Sequence, residues 1–299
     1  MSERDADAAQ APSISIVIPV FNEVESIGAV LEGVRSSIPE SIRAEVIVVD
    51  DGSTDDSARL VEEFPDVLLI RHGRNLGTGA AKKTGIRAAR GETIVTLDGD
   101  GQHDPSAIAE LLETMKREKC DMVVGARTAF LHTRLWRLPG KWLVSSMAIL
   151  LVGRSIPDLN CGLRAVRKDV ICRYLHLFPA GFSFHTTSTL VLIERGFKVC
   201  YVPVMVRRRG AGRSWVTPWT GLETILLILR LATLLAPLRL FVPLSALFSA
   251  AGTGWGLRYL LAGRGLSTGA LFLLVTGIYL FFFGLLADQI AALRKERME

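Results

Sequence analysis

Cysteine is scarce in this chain of 299 residues: Cys120, Cys161, Cys172 and Cys200 are its four, and none falls in a CxxC pair or a zinc-ligand spacing. That pattern excludes a zinc ribbon and gives no support to thiol catalysis. The four are expected as buried or half-buried free thiols in a reducing compartment. A Gly-x-x-x-x-Gly-Lys-Ser/Thr loop is missing, which excludes a P-loop. The glycines of Asn75-Leu-Gly-Thr-Gly79 neither match a dinucleotide fingerprint nor follow the first strand. Internal repeats and low-complexity segments are absent, and no aromatic–basic groove or reader motif points to nucleic acid. The opening residues 1–12 are polar and rich in Ala and Asp, without the apolar stretch of a secretory signal. They are expected to form a disordered tail, with the globular part in the cytosol. Acid is nearly missing from Leu240 to Glu299, where none occurs before Asp288.

What is present is strongly segregated. The chain is 49% hydrophobic with a mean hydropathy of +0.33, high for a soluble enzyme that is also 22% charged. The net charge of +5 matters less than where it falls. Arg207, Arg208, Arg209, Arg213, Arg230 and Arg239 precede an apolar tail, a placement that suits anionic headgroups or phosphates. Residues 240–261 and 268–290 are each about the 20 residues needed to cross a hydrocarbon core and are apolar all round. Trp219 to Leu235, within the segment 215–239, carries Glu223 and Arg230 and reads as an interfacial amphipathic helix. Basic residues before the first span and at Arg294, Lys295 and Arg297 put both outer ends, and the tail 291–299, in the cytosol. Arg258 and Arg264 weigh against that orientation without reversing it.

Residues 13–214 alternate strands and helices. Ile14 to Val20, Ala44 to Val49, Val67 to Arg71, Thr93 to Leu97 and Met122 to Gly125 are apolar runs of strand length, and Val199 to Val206 reads as a late strand. Between them helices are expected from Asn22 as N-cap through Ile27, Val30, Leu31 and Val34, and over Asp56 to Glu63, Ala80 to Ala89 and Ala107 to Lys116. The order predicts an α/β fold with a mostly parallel sheet, whose ligands sit beyond the carboxyl ends of the strands. Those ends carry Asn22-Glu23, Asp50-Asp51 and Asp98-Asp100, with Arg127 on the same edge.

The densest of them is Val95-Thr-Leu-Asp-Gly-Asp-Gly-Gln-His-Asp-Pro105. Asp98, Asp100 and Gln102 share one phase of an extended chain and offer hard oxygens for Mg²⁺ or Mn²⁺. An acidic turn capping the next helix is the plainer alternative. Asp104, followed by Pro105, reads as an N-cap, and His103 as an exposed loop residue. Lys82, Lys83, Arg127 and the Arg207–Arg213 cluster could meet an anionic partner of the metal. For the lysines a solvated helix face is equally consistent.

IVIPVFNE (16–23), VVDDGSTD (48–55), RNLGTGAA (74–81) and LDGDGQHDP (97–105) together resemble inverting family 2 glycosyltransferases of the GT-A fold. DMVVGAR (121–127), DLNCGLRAVRK (158–168) and Arg209-x-x-Gly212-x-Ser214 are similar to the polyprenyl-phosphate group, which includes dolichol-phosphate mannose synthase and bactoprenol glucosyltransferase. The resemblance runs from Ser13 to Ser214, and the two-span tail suits the bactoprenol type. It implies a GT-A nucleotide-sugar-binding domain that transfers one hexose from a UDP- or GDP-sugar to a polyprenyl phosphate at the cytosolic membrane face. It also implies that Pro19, Phe21, Asn22, Glu23 and Lys82 line the nucleotide pocket and that Asp51 holds the base. Asp98, Asp100 and Gln102 would hold a divalent cation, Mg²⁺ or Mn²⁺. Arg127, Lys141, Ser145, Arg209, Arg213 and Ser214 would bind the lipid phosphate or the leaving diphosphate, Asp98, Asp100, Arg127 and Arg209 being the catalytic set.

Two departures stand out. Arg213-Ser214-Trp215 replaces a Lys-Ser-Lys, putting an aromatic ring where relatives carry charge. Ser183-Phe-His-Thr-Thr-Ser-Thr-Leu190 opens a helix at which many relatives place a catalytic acid, and none follows before Glu194. A sugar hydroxyl needs a general base, whereas a lipid phosphate is already an anion. His185 is either a substitute base or a packing residue. A transferase with a hydroxyl or lipid-linked acceptor, and a membrane-anchored nucleotide-binding module without turnover, are the rival readings. Gly252, Gly254 and Gly256 would permit close helix contact in a homo-oligomer.

Overall fold

The structure is a computed structural model, which describes residues 12–127, 156–181, 183–206, 226, 229, 232, 233, 236–265 and 267–296. The chain divides into two units, residues 1–138 with 156–216 and residues 139–155 with 217–299.

In the first unit the apolar runs become strands. β1 (Ile14–Val20) and β2 (Ala44–Asp50) flank α1 (Ile27–Ser37); then follow α2 (Ser57–Glu62), β3 (Val67–Arg71), α3 (Thr78–Ala88) and β4 (Thr93–Thr96). α4 (Ala107–Glu118), β5 (Met122–Arg127), β6 (Arg164–Arg167), α5 (Lys168–Tyr174), α6 (Phe184–Glu194) and β7 (Val199–Val204) complete it. The sheet order is β3-β2-β1-β4-β6-β5-β7. β1 pairs parallel with β2 and β4, β2 with β3, and β5 with β7, while β6 runs antiparallel to both β4 and β5. The mostly parallel sheet is as expected; β6 has no counterpart among the expected strands. All seven residues of β1 are buried, as a central strand covered on both faces requires. α3 approaches this strand closely at Gly85, where a Cβ would fall 2.4 Å from Val17 Cγ1. Because β1, β2, β4 and β5 point the same way, their carboxyl ends gather Asn22, Asp51, Asp98 and Arg127 on one edge.

Several local expectations are corrected. Asn22 does not cap α1: it sits at φ 56° and its Oδ1 accepts from Thr54 N at 2.8 Å, stitching the end of β1 to the loop after β2. Ser26 takes the N-cap position instead. Asp104 likewise stands ahead of α4, whose N-cap position is Ser106; its Oδ1 accepts from Ser106 N at 3.0 Å, closing an Asx turn. Cys120 and Cys200 are not free thiols. Adjacent β5 and β7 bring them together across 80 residues of sequence, with sulfurs bonded and Cα atoms 6.2 Å apart. Cys161 is buried and Cys172 exposed.

The second unit contains a helical hairpin, α7 (Pro237–Leu261) and α8 (Thr268–Glu296). Two stretches, Pro237–Leu261 and Thr268–Leu293, are long and apolar enough to cross a membrane. α7 begins three residues before the expected span because Pro237 suits a first helical position. The helices pack through small residues: a Cβ on Gly252 would fall 2.9 Å from Leu274, and Ser245 Oγ donates to Gly277 O at 2.8 Å. Gly252 and Gly256 therefore face α8 of the same chain, and the homo-oligomer reading loses their support; the space beyond Gly254 is open. Large apolar side chains such as Phe272, Tyr279, Phe282 and Leu286 are exposed on the outside of the hairpin, as lipid-facing residues would be.

The cysteine arrangement has a direct chemical consequence. Burial pushes the Cys161 thiol up to about 11, leaving it protonated and shielded. Maleimide is expected to label Cys172 in the folded protein, Cys161 only after denaturation, and Cys120 and Cys200 only after reduction, as read by peptide mass. Labelling of Cys120 or Cys200 before reduction would overturn the pairing.

Candidate functional site

The site grows from the end of β4. After the buried Leu97, Asp98 turns back against α3, and its Oδ1 accepts from Lys82 Nζ at 2.8 Å. Lys82 is 1% exposed, so the expected solvated or nucleotide-facing lysine is instead an internal cation. The other neighbour of its ammonium is His185 Nε2, from the first turn of α6. Burial pushes the His185 pKa down to about 3, reinforced by the Lys82 and Arg164 cations. The ring is therefore neutral, with Nε2 accepting from Lys82. Burial alone would raise the Asp98 pKa, but the Lys82 ammonium outweighs it and holds the carboxyl well below the carboxylate range. Lys82 itself is lowered by burial against the pull of Asp98. The second oxygen of Asp98 faces Gly162, where a Cβ would lie 1.9 Å away, so only glycine leaves room for this carboxylate.

Asp100 and Gln102 continue the turn, with Gln102 N donating to Asp100 Oδ1 at 3.1 Å. Among the described residues no three of His, Cys, Asp and Glu converge as a closed metal cage. Two carboxylates and an amide oxygen, with Asp98 Oδ2 left over from the ion pair, do fit a hard cation completed by phosphate oxygens. His103 is not exposed: it is 6% accessible, its backbone bridges to Val206, and its Nδ1 has no partner among the described residues. Burial lowers its pKa against the raising fields of Asp98 and Asp100, with the Arg127 charge acting the other way.

Asp51 is buried as well. Its Oδ1 accepts from His72 Nδ1 at 2.7 Å and Leu76 N at 3.0 Å, and its Oδ2 from Gly77 N at 2.7 Å. It thus clamps the glycine-marked loop, which turns at Gly77 with φ 97°. His72 Nε2 continues the chain of bonds to Thr84 Oγ1 at 2.9 Å. Pro19 is buried within β1, while Phe21 and Glu23 are half-buried and Asn22 is exposed beside them. Glu23 N is tied to Ser57 Oγ at 2.8 Å.

Arg127, the last residue of β5, is bound to a carboxylate that sequence reading left without a role. Its Nε meets Asp158 Oδ2 at 2.6 Å and its Nη2 meets Oδ1 at 2.9 Å. Asp158 lies in a turn pinned by Arg164, a 2%-exposed guanidinium that donates to Leu159 O, Cys161 O and His185 O as well as Ser188 and Thr189 hydroxyls. Burial pushes Arg164 down to about 10, which still leaves it charged. Lys141, Ser145, Arg209, Arg213 and Ser214 lie outside the described residues.

Comparison with known proteins places this geometry. The glycosyl transferase family 2 model matches residues 15–174, more than half of the chain. The chain belongs to glycosyl transferase family 2. Residues 236–293 match the GtrB C-terminal hairpin, the region of α7 and α8. Among family 2 relatives, the undecaprenyl-phosphate 4-deoxy-4-formamido-L-arabinose transferase of Proteus mirabilis is 33% identical over 250 residues, covering 80% of this chain and 73% of that protein. The dodecaprenyl-phosphate galacturonate synthase of Rhizobium johnstonii is 34% identical over 173 residues, 55% of this chain and 51% of its own. The fold is shared with glucosyl-3-phosphoglycerate synthase of Mycobacterium tuberculosis, solved with Mn²⁺ and UDP-glucose. That match has a TM-score of 0.59 at 20% identity, over 78% of this chain and 83% of that one.

The seat of Asp98 can be tested directly. Gly162→Ala must turn the carboxylate away from Lys82, and a folded domain is expected whose unfolding free energy falls by about 1–3 kcal/mol, as overpacking does. A wild-type thermal melt would mean that Asp98 is not held against Gly162.

Proposed function

We propose that this family 2 glycosyltransferase transfers a single sugar from a UDP- or GDP-sugar to a polyprenyl phosphate, with inversion, at the cytosolic face of a membrane that α7 and α8 cross. The observation that carries the reading is the state of His185. The first turn of α6 offers the acceptor no base: its imidazole is neutral, 6% exposed and spent on Lys82. An acceptor hydroxyl would have to lose its proton to some group, whereas a phosphate monoester arrives as an anion. The names of the Proteus and Rhizobium relatives, both polyprenyl-phosphate sugar transferases, support the same acceptor class.

In this reading a phosphate oxygen attacks the anomeric carbon as the bond to the diphosphate breaks on the opposite face. A divalent cation, Mg²⁺ or Mn²⁺, held by Asp98 Oδ2, Asp100 and Gln102, would supply charge neutralisation for the diphosphate. Asp51 acts by shaping the pocket floor through the loop at Leu76 and Gly77, and Phe21, Asn22 and Glu23 line its wall. Arg127 would hold a phosphate, joined by Arg209, Arg213, Ser214, Lys141 and Ser145. The Asp98–Lys82 pair keeps the carboxylate ionised and in one orientation before any ligand arrives.

Purified full-length protein, incubated with undecaprenyl phosphate, Mg²⁺ or Mn²⁺ and a panel of UDP- and GDP-sugars, is expected to yield a lipid of one added sugar by mass. Undecaprenol should yield none. Asp100→Ala should lower turnover on the order of a hundredfold or more with its melting curve kept. Unchanged turnover would remove Asp100 from the diphosphate site, and product from undecaprenol would overturn the acceptor.

A further inference from the structure

We propose that Asp158 is the positioning residue for Arg127, fixing the plane of its guanidinium so that the free corner meets a phosphoryl oxygen at the acidic strand edge. The inference rests on the reading of Arg127 as a phosphate ligand and adds to it a residue to which no role has been assigned.

The pair is asymmetric. Arg127 is 47% exposed in its side chain and Asp158 9%, so the carboxylate is the anchor and the guanidinium the part that reaches solvent. Asp158 is held in turn by two backbone amides, Asn160 N on Oδ1 at 2.9 Å and Arg127 N on Oδ2 at 3.3 Å. Its turn is nailed to the interior by Arg164, through Leu159 O at 3.1 Å and Cys161 O at 2.9 Å, and by Asn160, whose Oδ1 accepts from Thr186 Oγ1. Moving the turn would strip acceptors from a buried guanidinium, which is costly. A guanidinium is planar, so fixing its Nε–Nη2 edge fixes the third corner. Asp158 takes Nε and one Nη2 hydrogen, and among the described residues no acceptor meets Nη1 or the second Nη2 hydrogen. The hydrogen bond between Asp158 and Arg127, ahead of the opposing effect of burial, raises the Arg127 pKa. β4 and β5 both run antiparallel to β6, so Arg127 at the end of β5 stands on the same sheet edge as Asp98 after β4.

The phosphoryl oxygen could belong to the lipid phosphate or to the nucleoside diphosphate, and the test separates them. Full-length protein in detergent micelles is titrated with undecaprenyl phosphate, with undecaprenol, and with UDP or GDP plus Mn²⁺. Arg127→Gln and Asp158→Asn should each weaken one phosphate probe by about tenfold, as loss of a charged hydrogen bond does, and leave undecaprenol binding unchanged. The probe affected names the source of the phosphate. The double variant should bind no more weakly than Arg127→Gln alone. Asp158→Glu keeps the charge but displaces the carboxylate by one methylene; it should fold like the wild type and show the same loss, which covers the case in which Asp158→Asn does not fold. Wild-type or tighter phosphate binding by the Asp158 variants, with Arg127→Gln impaired, would make Asp158 a competitor rather than a positioner. An Arg127→Gln variant unimpaired with every probe would overturn the phosphate reading of Arg127 itself.

Discussion

The contact between the buried Lys82 ammonium and the half-buried Asp98 carboxylate is the constraint around which the catalytic domain is arranged. An ammonium loses several kcal/mol of hydration inside a protein and is tolerated only with a partner in good geometry. Every neighbour of this pair answers to that demand. α3 reaches β1 closely enough to deliver Lys82 because residue 85 is a glycine. His185 accepts from the ammonium and stays uncharged, since a second cation there would be unsustainable. Arg164, the other buried cation, is spread over carbonyl and hydroxyl oxygens and competes for no carboxylate. Asp98 is thus an ionised, oriented group before substrate arrives, which is what electrostatic preorganisation asks of a metal-side ligand.

The layout of the sheet was legible because buried parallel strands announce themselves. ISIVIPV and AEVIVV are apolar without interruption, and a carboxylate directly after such a run can only emerge at the strand end. Asp98, Asp100 and Asn22 were found that way. β6 was not, because its four residues begin and end in arginine and one of those arginines is buried, a pattern that reads as a charged loop. The partners of Asp98 were equally hidden: Lys82 lies 16 residues upstream on a helix that looks solvated, and His185 is 103 residues from that lysine. His103 was misread because an imidazole between Gln and Asp looks exposed, whereas its backbone bridge to Val206 draws it under the surface. The bond between Cys120 and Cys200 required knowing that β5 and β7 are neighbours, which spacing alone does not convey.

The two units divide the physical problem between them. In the hairpin, helix contact relies on the close approach allowed by Gly252 and Gly277 and on a serine hydroxyl answering a backbone carbonyl, both effective where solvent offers no hydrophobic drive. In the catalytic domain the work falls to charge held away from water. A lipid acceptor whose head is already an anion joins these regimes without a proton acceptor in α6, and the polar hydroxyls of that helix are free to serve Arg164 instead.

The reversed direction of β6 changes what a single connection can accomplish. In a wholly parallel sheet the chain enters each strand from the edge remote from the ligand, so the approach segments are structural and only the exits can contribute chemistry. Here Arg164 stands opposite Thr96, and the chain enters β6 on the ligand's own side. One approach segment can then touch the exits of both flanking strands, Asp98 through Gly162 and Arg127 through Asp158. Inverting one strand converts two independent loop ends into a single caliper, whose jaw opening is set by five residues of backbone rather than by the packing of the whole sheet.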